Sequence, residues 1–501
     1  MLRFKAMSGR SNRKWRFILG ASFFLLVLYL LRTPLSPRYD YLDLATVEYI
    51  MLTSRKRPWL LPGSSSRPQD HSHLPILSGA SLFEVLEQAR PQMPALERTD
   101  DATAIVFWRV QNSDTPRPDL VSLSPGQLDT LRQAHDQYKS TVRNFRLPYQ
   151  TGTRGIVSTV SGAQLPVFIV SLRMLRRTGC KLPVELILDS DDDHKSDLCK
   201  VLLPTLNARC VSLKDHLGDA VRTLHKFQFK VFSILFSSFE QVLFIDADNN
   251  LVMNPEPLFV NEPFLTHGLV TWPDFWASTT SKHFYAVQDR PIPSMDSLPT
   301  SESGQILVSK RSHSLALLMA VYYNFYGPGY YYELMSQGAF GEGDKETFLA
   351  GAQAVSAPFY QVKKHVDTIG YYEDEHYHGV AMLQYDPIRD MSAAHSGAAE
   401  GQLEPEPFAL HHNYPKLDPV ELFSQTGAAV NQITGDYHRL LGPKNLTEQR
   451  FGRDIELDLW NEIYFVACEL GDEFQHWHTL PSSGTTKGTC DSVKAYRATL
   501  F

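Results

Sequence analysis

A short apolar segment that ends in two carboxylates constrains this chain more than any other stretch. Residues 242–245 have the length and the β-branched and aromatic content of a buried strand. Asp246 and Asp248 follow at once. Because an unpaired buried carboxylate is costly, two of them at the end of a strand need a cation or several hydrogen-bond donors. Ligands bind at the carboxyl ends of strands in open α/β sheets, so the motif predicts a divalent metal site that receives a diphosphate.

The same motif has a simpler interpretation. Asp-x-Asp often caps turns and helices, and Asp248, Asn249 and Asn250 could form only the turn that follows the strand. The flanking chain has to decide between the two interpretations.

Strand and helix patterns alternate from residue 152 onward. Strands are predicted at residues 155–160, 182–188, 208–213, 268–272 and 305–309, and helices at 165–177, 196–206, 224–238 and 315–324. Ahead of them, residues 104–110 are a candidate strand and Ser124 caps a predicted helix. Repeated β-α units of this length indicate an α/β fold with a mostly parallel, Rossmann-like sheet flanked by helices. Residues 242–245 would then be an interior strand.

The amino-terminal region is predicted to precede the globular part. Residues 17–31 are almost wholly apolar and would rise roughly 22 Å as a transmembrane helix. Basic residues crowd the amino-terminal side, which places residues 1–16 in the cytosol. No small-x-small cleavage pattern follows, so a signal anchor is favoured over a cleaved signal peptide. Residues 32–99, rich in Pro, Ser, Arg and His, are predicted to form a lumenal stem.

Residues 100–443 are predicted to be the domain that carries the site, and residues 444–501 an extension packed on it. The net charge of -7 gives no case for nucleic acid as a partner. An acidic chain can still bind a phosphorylated ligand if a metal supplies positive charge.

The five cysteines contain no Cys-x-x-Cys, which argues against a structural zinc site. In an oxidising lumen, Cys199 with Cys210 and Cys468 with Cys490 are the sequence-local pairs, which would leave Cys180 free, although sequence alone leaves the pairing open. The sequon at Asn445 fits a lumenal location.

Several stretches resemble the fungal Golgi α-mannosyltransferases that elongate and branch mannan on glycoproteins. They occur in order along the chain at residues 152–157, 172–176, 182–185, 237–249, 302–305, 343–348 and 411–413. The resemblance implies a GT-A fold, a single-pass type II Golgi membrane enzyme and membership of a Golgi glycosyltransferase complex. It also implies a GDP-mannose donor, Mn²⁺ (or Mg²⁺), and an N-glycan or mannan acceptor with retained anomeric configuration. The 343–348 and 411–413 stretches look more like the branch-initiating members, which favours an α-1,2 over an α-1,3 linkage.

The metal ligands are predicted from this resemblance and from ligand chemistry. Asp248 is expected to hold the cation, with Asp246 reaching the metal or the ribose, because Mn²⁺ and Mg²⁺ prefer hard oxygen ligands. His411 is the expected further ligand because it fits the family's His-x-Asn spacing. Its neighbour His412 is the alternative.

Three basic residues are candidates for contact with the nucleotide or its phosphates. They are Arg154 just before the first strand, Lys226, which shares a predicted helix face with Lys230, and Lys416. The alternative for each of them is an ordinary solvated surface charge.

Three further residues are candidates for catalysis. Glu302 and Gln305 flank a tight Ser-Gly just before a strand and could hold sugar hydroxyls, or they could cap a helix or a turn. Asp344 opens a helix, where the helix dipole stabilises a carboxylate without any function. The resemblance implies that Asp344 orients the acceptor or the reacting sugar. In a retaining front-face reaction the leaving phosphate oxygen takes the acceptor proton; if the reaction inverts, Asp344 is the first candidate for the general base.

Two other functions compete with this one. A non-catalytic, glycan-binding subunit on the same fold is the first. A haloacid-dehalogenase-like phosphatase is the second, since such enzymes place Asp-x-Asp after the first strand of their domain, followed by Thr or Val. Here three predicted strands precede the motif and Asn249 follows it, which argues against the phosphatase.

Overall fold

The computed structural model describes residues 73–110, 115–160, 164–188, 197–373, 375–396, 405–424, 427–431, 433–470 and 488–501. Residues Pro75–Phe501 form one compact unit. The predicted cytosolic tail, the anchor segment 17–31 and most of the predicted stem lie outside the described residues. Within the described ranges, no helix combines the length and the apolar character needed to cross a bilayer.

The described strands are β1 (Gln150–Val160), β2 (Val184–Leu188), β3 (Ala208–Ser212), β4 (Phe239–Ile245), β5 (Asn249–Leu251), β6 (Leu269–Ala277), β7 (Pro299–Ser309), β8 (Tyr360–Gln361), β9 (Asp367–Glu373), β10 (His376–Tyr385) and β11 (Pro407–His411). The described α-helices are α1 (Gly79–Gln88), α2 (Pro125–Val142), α3 (Leu165–Arg177), α4 (Leu203–Thr205), α5 (Lys214–Leu217), α6 (Gln228–Phe236), α7 (Phe264–His267), α8 (Lys282–Val287), α9 (Lys310–Phe325), α10 (Tyr331–Ser336), α11 (Thr347–Ala354), α12 (Pro387–Ser396), α13 (Pro419–Leu422), α14 (Lys444–Phe451), α15 (Ile455–Tyr464) and α16 (Thr489–Leu500).

The main sheet has the strand order β3-β2-β1-β4-β7-β6-β8. Strands β3, β2, β1 and β4 are parallel, as the β-α pattern predicts, and β4 is an interior strand. Beyond β4 the sheet is mixed, because β7 runs antiparallel to both of its neighbours. Gln305 on β7 therefore pairs with Ile245, the last residue of β4, and the residues just before Gln305 project past the carboxyl end of β4.

A second, antiparallel sheet follows the motif directly and has the order β5-β11-β10-β9. Strand β5 begins at Asn249, one residue after Asp248, and His411 on β11 pairs with Asn249. The turn interpretation of Asp248-Asn249-Asn250 is thus wrong for the two asparagines, which belong to a strand. This pairing returns a distant part of the chain to the motif.

The core has two hydrophobic clusters, and successive residues of β4 contribute to them alternately. Leu243 and Ile245 pack in the cluster that includes α3 and the second sheet. Val242 and Phe244 pack in the cluster that includes α2, α6 and α9. Side chains of a strand alternate between its two faces, so β4 is covered on both, which accounts for its continuous apolar sequence.

Most predicted elements are present, with three differences. Residues 104–110 form only an isolated bridge at Val106 and one 3-10 turn, Phe107–Arg109, so the predicted strand is wrong. The described part of the predicted helix 196–206, which begins at residue 197, is mainly a π-helical turn, Leu198–Leu202, followed by the short α4. The predicted helix 224–238 is shorter, because Lys226 has a left-handed φ of 47° and α6 starts after it.

The packed unit includes residues assigned above to the stem. Helix α1 is capped by Ser78 and buries Leu82 and Leu86 completely. The hydroxyls of Tyr322 and Tyr326 donate to the carbonyls of Ala89 (2.9 Å) and Leu86 (2.6 Å). Because α1 has an apolar face that a solvated stem could not bury, the globular part begins near residue 75 rather than at residue 100.

Two disulfides join the sequence-local pairs, Cys199 with Cys210 and Cys468 with Cys490. Cys180 is buried and belongs to neither disulfide. The described part of residues 444–501 packs on the first hydrophobic cluster, and the rings of Trp460 and Tyr496 stack 3.8 Å apart.

Candidate metal and sugar-nucleotide site

The carboxyl end of β4 carries the acidic cluster, defined here as Asp246, Asp248 and His411. One potential ligand atom from each residue lies within 4.8 Å of the other two. His411 Nε2 is 3.1 Å from Asp248 Oδ1. The Asp246 amide donates to the Gly304 carbonyl (2.9 Å), and the Asn249 amide donates to the Asp246 carbonyl (3.1 Å). The three predicted metal ligands are therefore brought together: Asp246 and Asp248 by a tight turn after β4, and His411 by the end of β11.

The structure places His411, and not His412, in the cluster. Strand β11 pairs with β5, and the His412 amide donates to the Asp248 carbonyl (2.9 Å). His412 points to the other side of the strand, where its Nδ1 is 3.1 Å from Asn250 Nδ2. Burial lowers the pKa of His412 to about 3. Adjacent strand residues face opposite sides, so only one of the two histidines can reach the cluster.

Glu302 lies behind His411. Its Oε1 is 3.3 Å from His411 Nδ1 and accepts a hydrogen bond from the Gly304 amide (2.7 Å). Burial alone would raise the pKa of Glu302, but His411 and Lys230 outweigh it and lower the pKa to about 2. Burial lowers the pKa of His411, and Glu302 outweighs that effect and raises it. A carboxylate behind a histidine is the usual way to orient a metal-ligating imidazole, so this geometry supports a role of Glu302 in orienting His411. It does not test the predicted contact of Glu302 with a sugar hydroxyl.

Gly304 makes room for this arrangement. A Cβ at Gly304 would lie 2.5 Å from His411 Cε1 and Nδ1, and 3.1 Å from Glu302 Oε1. Ser303 and Gly304 lie within β7 and do not form the tight turn expected before the strand. The absence of a side chain at Gly304 is what allows the close approach of the imidazole ring.

Gln305 is fully buried beside the motif. Its Oε1 accepts a hydrogen bond from Asn249 Nδ2, and its Nε2 has no partner among the residues that the structure describes. Asn249 Nδ2 also donates to the Gly304 carbonyl (2.8 Å). Gln305 therefore supports the turn after β4, and this contact does not test the predicted binding of a sugar hydroxyl.

Lys230 is the lysine of α6 that enters the site. Its ammonium is 3.0 Å from Asp246 Oδ2 and 3.3 Å from Asp344 Oδ2. Burial alone would lower the pKa of Lys230, but the Asp246 and Asp344 carboxylates outweigh it and raise the pKa above its ordinary value. Lys226 is exposed and has no contact with the cluster in the described structure. The prediction selected Lys226, although Lys230 lies among apolar residues of the helix, which is the signal that could have distinguished it.

Asp344 precedes α11 and joins the site through Lys230 and through Ser303, whose Oγ is 3.3 Å from Asp344 Oδ2. Lys416 contacts Asp248 Oδ2 in an ion pair. Burial lowers the pKa of Lys416. Asp344 and Lys416 are therefore both located at the predicted site.

Arg154, like Lys226, is a predicted residue that the structure does not bring to the cluster. It is exposed and pairs in register with Gln241, near the amino end of β4. Asp246 lies five residues further on, a distance of roughly 17 Å along an extended strand.

The charges around the cluster do not balance. Asp246, Asp248, Glu302 and Asp344 face two ammonium groups, Lys230 and Lys416. With His411 neutral, two negative charges remain in a largely buried region. A divalent cation with carboxylate and imidazole ligands would compensate them, so these residues fit a bound Mn²⁺ or Mg²⁺.

A divalent-metal site at the carboxyl end of an interior strand is compatible with a nucleotide-sugar donor, as a glycosyltransferase requires. The mannosyltransferase family model Mannosyl_trans3 matches residues 153–299 and 291–386. The α-1,2-mannosyltransferase MNN21 of Candida albicans is 31% identical over 492 residues, which cover 82% of this chain and 73% of that protein. The α-1,2-mannosyltransferase MNN2 of Saccharomyces cerevisiae is 33% identical over 445 residues, 73% of each chain.

This chain therefore belongs to the family of fungal mannosyltransferases, and it is a glycosyltransferase. The expected family is confirmed, and the phosphatase alternative is excluded. Among solved structures, the galactosyltransferase LgtC in complex with donor and acceptor sugar analogues is similar over 42% of this chain and 73% of that chain, with 11% identity and a TM-score of 0.28. A similarity this weak does not establish the fold, so the GT-A assignment stays a prediction.

Proposed function

We propose that this mannosyltransferase moves mannose from GDP-mannose to an α-mannoside acceptor on N-glycans or mannan, with retention of configuration and formation of an α-1,2 linkage on a GT-A fold. The observation that carries the proposal is the acidic cluster at the end of β4. Its position supports binding of a metal–diphosphate, and the relatives named above are α-1,2-mannosyltransferases.

On the donor side, Asp246, Asp248 and His411 would hold Mn²⁺ or Mg²⁺. When bound, the cation compensates the charge of the leaving diphosphate. Lys416 reaches Asp248 from the partly exposed side of the cluster, with 35% of its side chain exposed. The Lys416 ammonium group can leave the Asp248 carboxylate and bind a phosphate oxygen instead, which supports the predicted contact of Lys416 with the diphosphate.

At the reacting sugar, the bond between the anomeric carbon and the phosphate oxygen breaks, and a bond to the acceptor hydroxyl oxygen forms on the same face. The acceptor proton passes to the departing phosphate oxygen of GDP, so no strong protein base is required. The contribution of this chain is orientation and the exclusion of water. Asp344 and Gln305 are the residues assigned to orienting the acceptor and the reacting sugar, and Glu302 orients His411.

We further propose a location in the Golgi membrane, with residues 17–31 as the anchor, the site in the lumen, and membership of a glycosyltransferase complex there. Two disulfides support an oxidising compartment. Asn445 of the sequon is exposed, which supports access to the lumenal glycosylation machinery.

The test uses the purified full-length chain in detergent, GDP-mannose and short α-mannosides. We expect transfer that requires Mn²⁺ or Mg²⁺ and stops with a chelator, and a product whose linkage analysis shows α-1,2-mannose. Asp248→Asn should lose about 100-fold or more in kcat. The control Asp129→Asn removes a carboxylate that is 73% exposed and lies outside the site.

Three results would contradict the proposal. Transfer that is insensitive to the chelator would contradict the proposed requirement for a metal. A product with inverted configuration would contradict the proposed stereochemistry, and an α-1,3-linked product would contradict the proposed linkage. Tight binding of mannosides without any GDP release would favour the non-catalytic, glycan-binding alternative.

A further inference from the structure

A single buried lysine joins the metal side of the site to the Asp344 side. Lys230 Nζ is within 3.3 Å of four oxygens: Asp246 Oδ2 (3.0 Å), Asp344 Oδ2 (3.3 Å), Ser303 Oγ (2.9 Å) and the Ser303 carbonyl (2.8 Å). Its side chain is 8% exposed. The four oxygens come from three separate segments: the end of β4, strand β7 and the turn before α11.

A second buried lysine in the same fold provides a comparison. Lys310 Nζ is surrounded by the backbone carbonyls of Leu235 (2.9 Å), Ser237 (2.7 Å) and Pro148 (3.5 Å). Burial lowers the pKa of Lys310 to about 7. Carbonyl oxygens are therefore enough to accommodate a buried lysine in this protein.

Lys230 differs from Lys310 because two of its partners are carboxylates. Moving charged groups from water into a protein interior costs free energy, and replacing a buried ion pair by apolar residues of similar volume often leaves the stability of the fold unchanged or increases it. Stability alone therefore gives little reason for a buried ammonium between two carboxylates. Function gives a reason, because one of these carboxylates belongs to the acidic cluster and the other was assigned to orienting the reacting sugar.

The contacts also divide the oxygens of each carboxylate. Lys230 binds Oδ2 of Asp246 and Oδ2 of Asp344. Ser303 Oγ adds a second contact to the same Asp344 oxygen. Lys230 does not hold the Oδ1 atoms, which we assign to a metal ion at Asp246 and to a substrate group at Asp344. A fixed ammonium between the two carboxylates would set their separation.

We propose that Lys230 is a positioning residue for mannosyl transfer: its ammonium holds Asp246 Oδ2 and Asp344 Oδ2 and thereby fixes the metal-binding carboxylate relative to the carboxylate at the reacting sugar. This inference rests on the proposed function. It predicts that removal of the ammonium impairs the transfer step and spares metal binding. The cluster would carry one more negative charge, which favours a cation, while the two carboxylates would no longer share a rigid partner.

The experiment compares Lys230→Met, Lys230→Arg and Lys310→Met in the full-length chain. Mn²⁺ affinity is measured without donor from the metal-dependent rise in melting temperature, and kcat is measured with GDP-mannose and an α-mannoside. For Lys230→Met we expect Mn²⁺ binding at least as tight as in the wild type and a kcat lower by about 100-fold, the loss associated with a misplacement of about 1 Å. Lys230→Arg should recover part of this loss, and Lys310→Met should keep wild-type kcat.

A double-mutant cycle with Asp344→Asn tests whether Lys230 acts through Asp344. If it does, Lys230→Met should lower kcat by less than about 3-fold in the Asp344→Asn background. Losses that multiply fully would overturn the proposal. So would unchanged kcat in Lys230→Met, a loss of kcat matched by an equal loss of Mn²⁺ affinity, or an equal loss in Lys310→Met. A wild-type chain without mannosyl transfer would instead overturn the proposed function, so the two failures can be told apart.

Discussion

Replacement of Gly304 by alanine tests the metal site through one methyl group. The added carbon would lie 2.5 Å from Cε1 and Nδ1 of His411 and 3.1 Å from Glu302 Oε1. Gly304 is not among the positive-φ residues of the described chain, so its backbone conformation is open to alanine. The substitution therefore acts by steric contact with the imidazole ring, without backbone strain.

The size of the effect follows from the distances. Non-bonded carbon atoms in contact are about 3.5 Å apart, so the His411 ring has to move by about 1 Å away from the added Cβ. Loss of the support around a metal-ligating histidine costs on the order of 10- to 100-fold in metal affinity. This corresponds to about 1.4–2.7 kcal/mol of binding free energy. We expect Gly304→Ala to weaken Mn²⁺ binding by this factor and to lower GDP-mannose hydrolysis at subsaturating metal.

Mn²⁺ titrations of the purified chain, followed by calorimetry, measure this effect. Gly126→Ala is the matched control, because a Cβ at Gly126 meets no atom within 4 Å. In a His411→Ala background the ring is absent, so Gly304→Ala should add almost nothing. A folded Gly304→Ala protein with wild-type Mn²⁺ affinity would refute His411 as a ligand.

Three further predictions concern stability and the donor. Burial raises the pKa of the Glu456 carboxyl group from 4.5 to about 7. The folded state therefore binds the proton of Glu456 more firmly than the unfolded chain does. The stability that comes from this protonation is present below pH 4.5 and is lost as the pH rises from 4.5 to about 7. Glu456→Gln should remove this fall, about 3 kcal/mol, from urea unfolding curves recorded across that pH range. Serine at both Cys468 and Cys490, which are 22 residues apart, should lower the free energy of unfolding by about 3 kcal/mol in the same assay. Arg154→Met should leave the KM for GDP-mannose unchanged, and a several-fold rise would contradict its placement far from Asp246.

Local patterns were enough for features that depend on neighbours in the chain. Helix α3 spans the residues that the amphipathic pattern predicted, Leu165–Arg177, and Ser124 caps α2 as its sequence indicates. The apolar run before Asp246 predicted an interior strand because a strand covered on both faces needs apolar residues at successive positions.

Patterns failed where a residue's surroundings come from elsewhere. Residues 104–110 are apolar enough for a strand, but their β-pairing in the described structure is limited to one isolated bridge, between Val106 and Trp276. Helix α1 is part of a stretch whose sequence is typical of a polar stem, and only its packing in the second hydrophobic cluster shows that it belongs to the core. No local signal contains those partners.

The sequence by itself determined the family, the carboxylates at the end of a central strand, and the set of residues from which a metal site can be built. The tertiary structure decided which members of that set meet. His411 joins the site and His412 does not, because the two side chains lie on opposite faces of a strand. Lys230 joins the site and Lys226 does not, because helix α6 starts after Lys226. The tertiary structure also placed Glu302 behind the imidazole. The physical reason is distance along the chain: His411 lies 163 residues from Asp248, and only the pairing of β5 with β11 brings the two together.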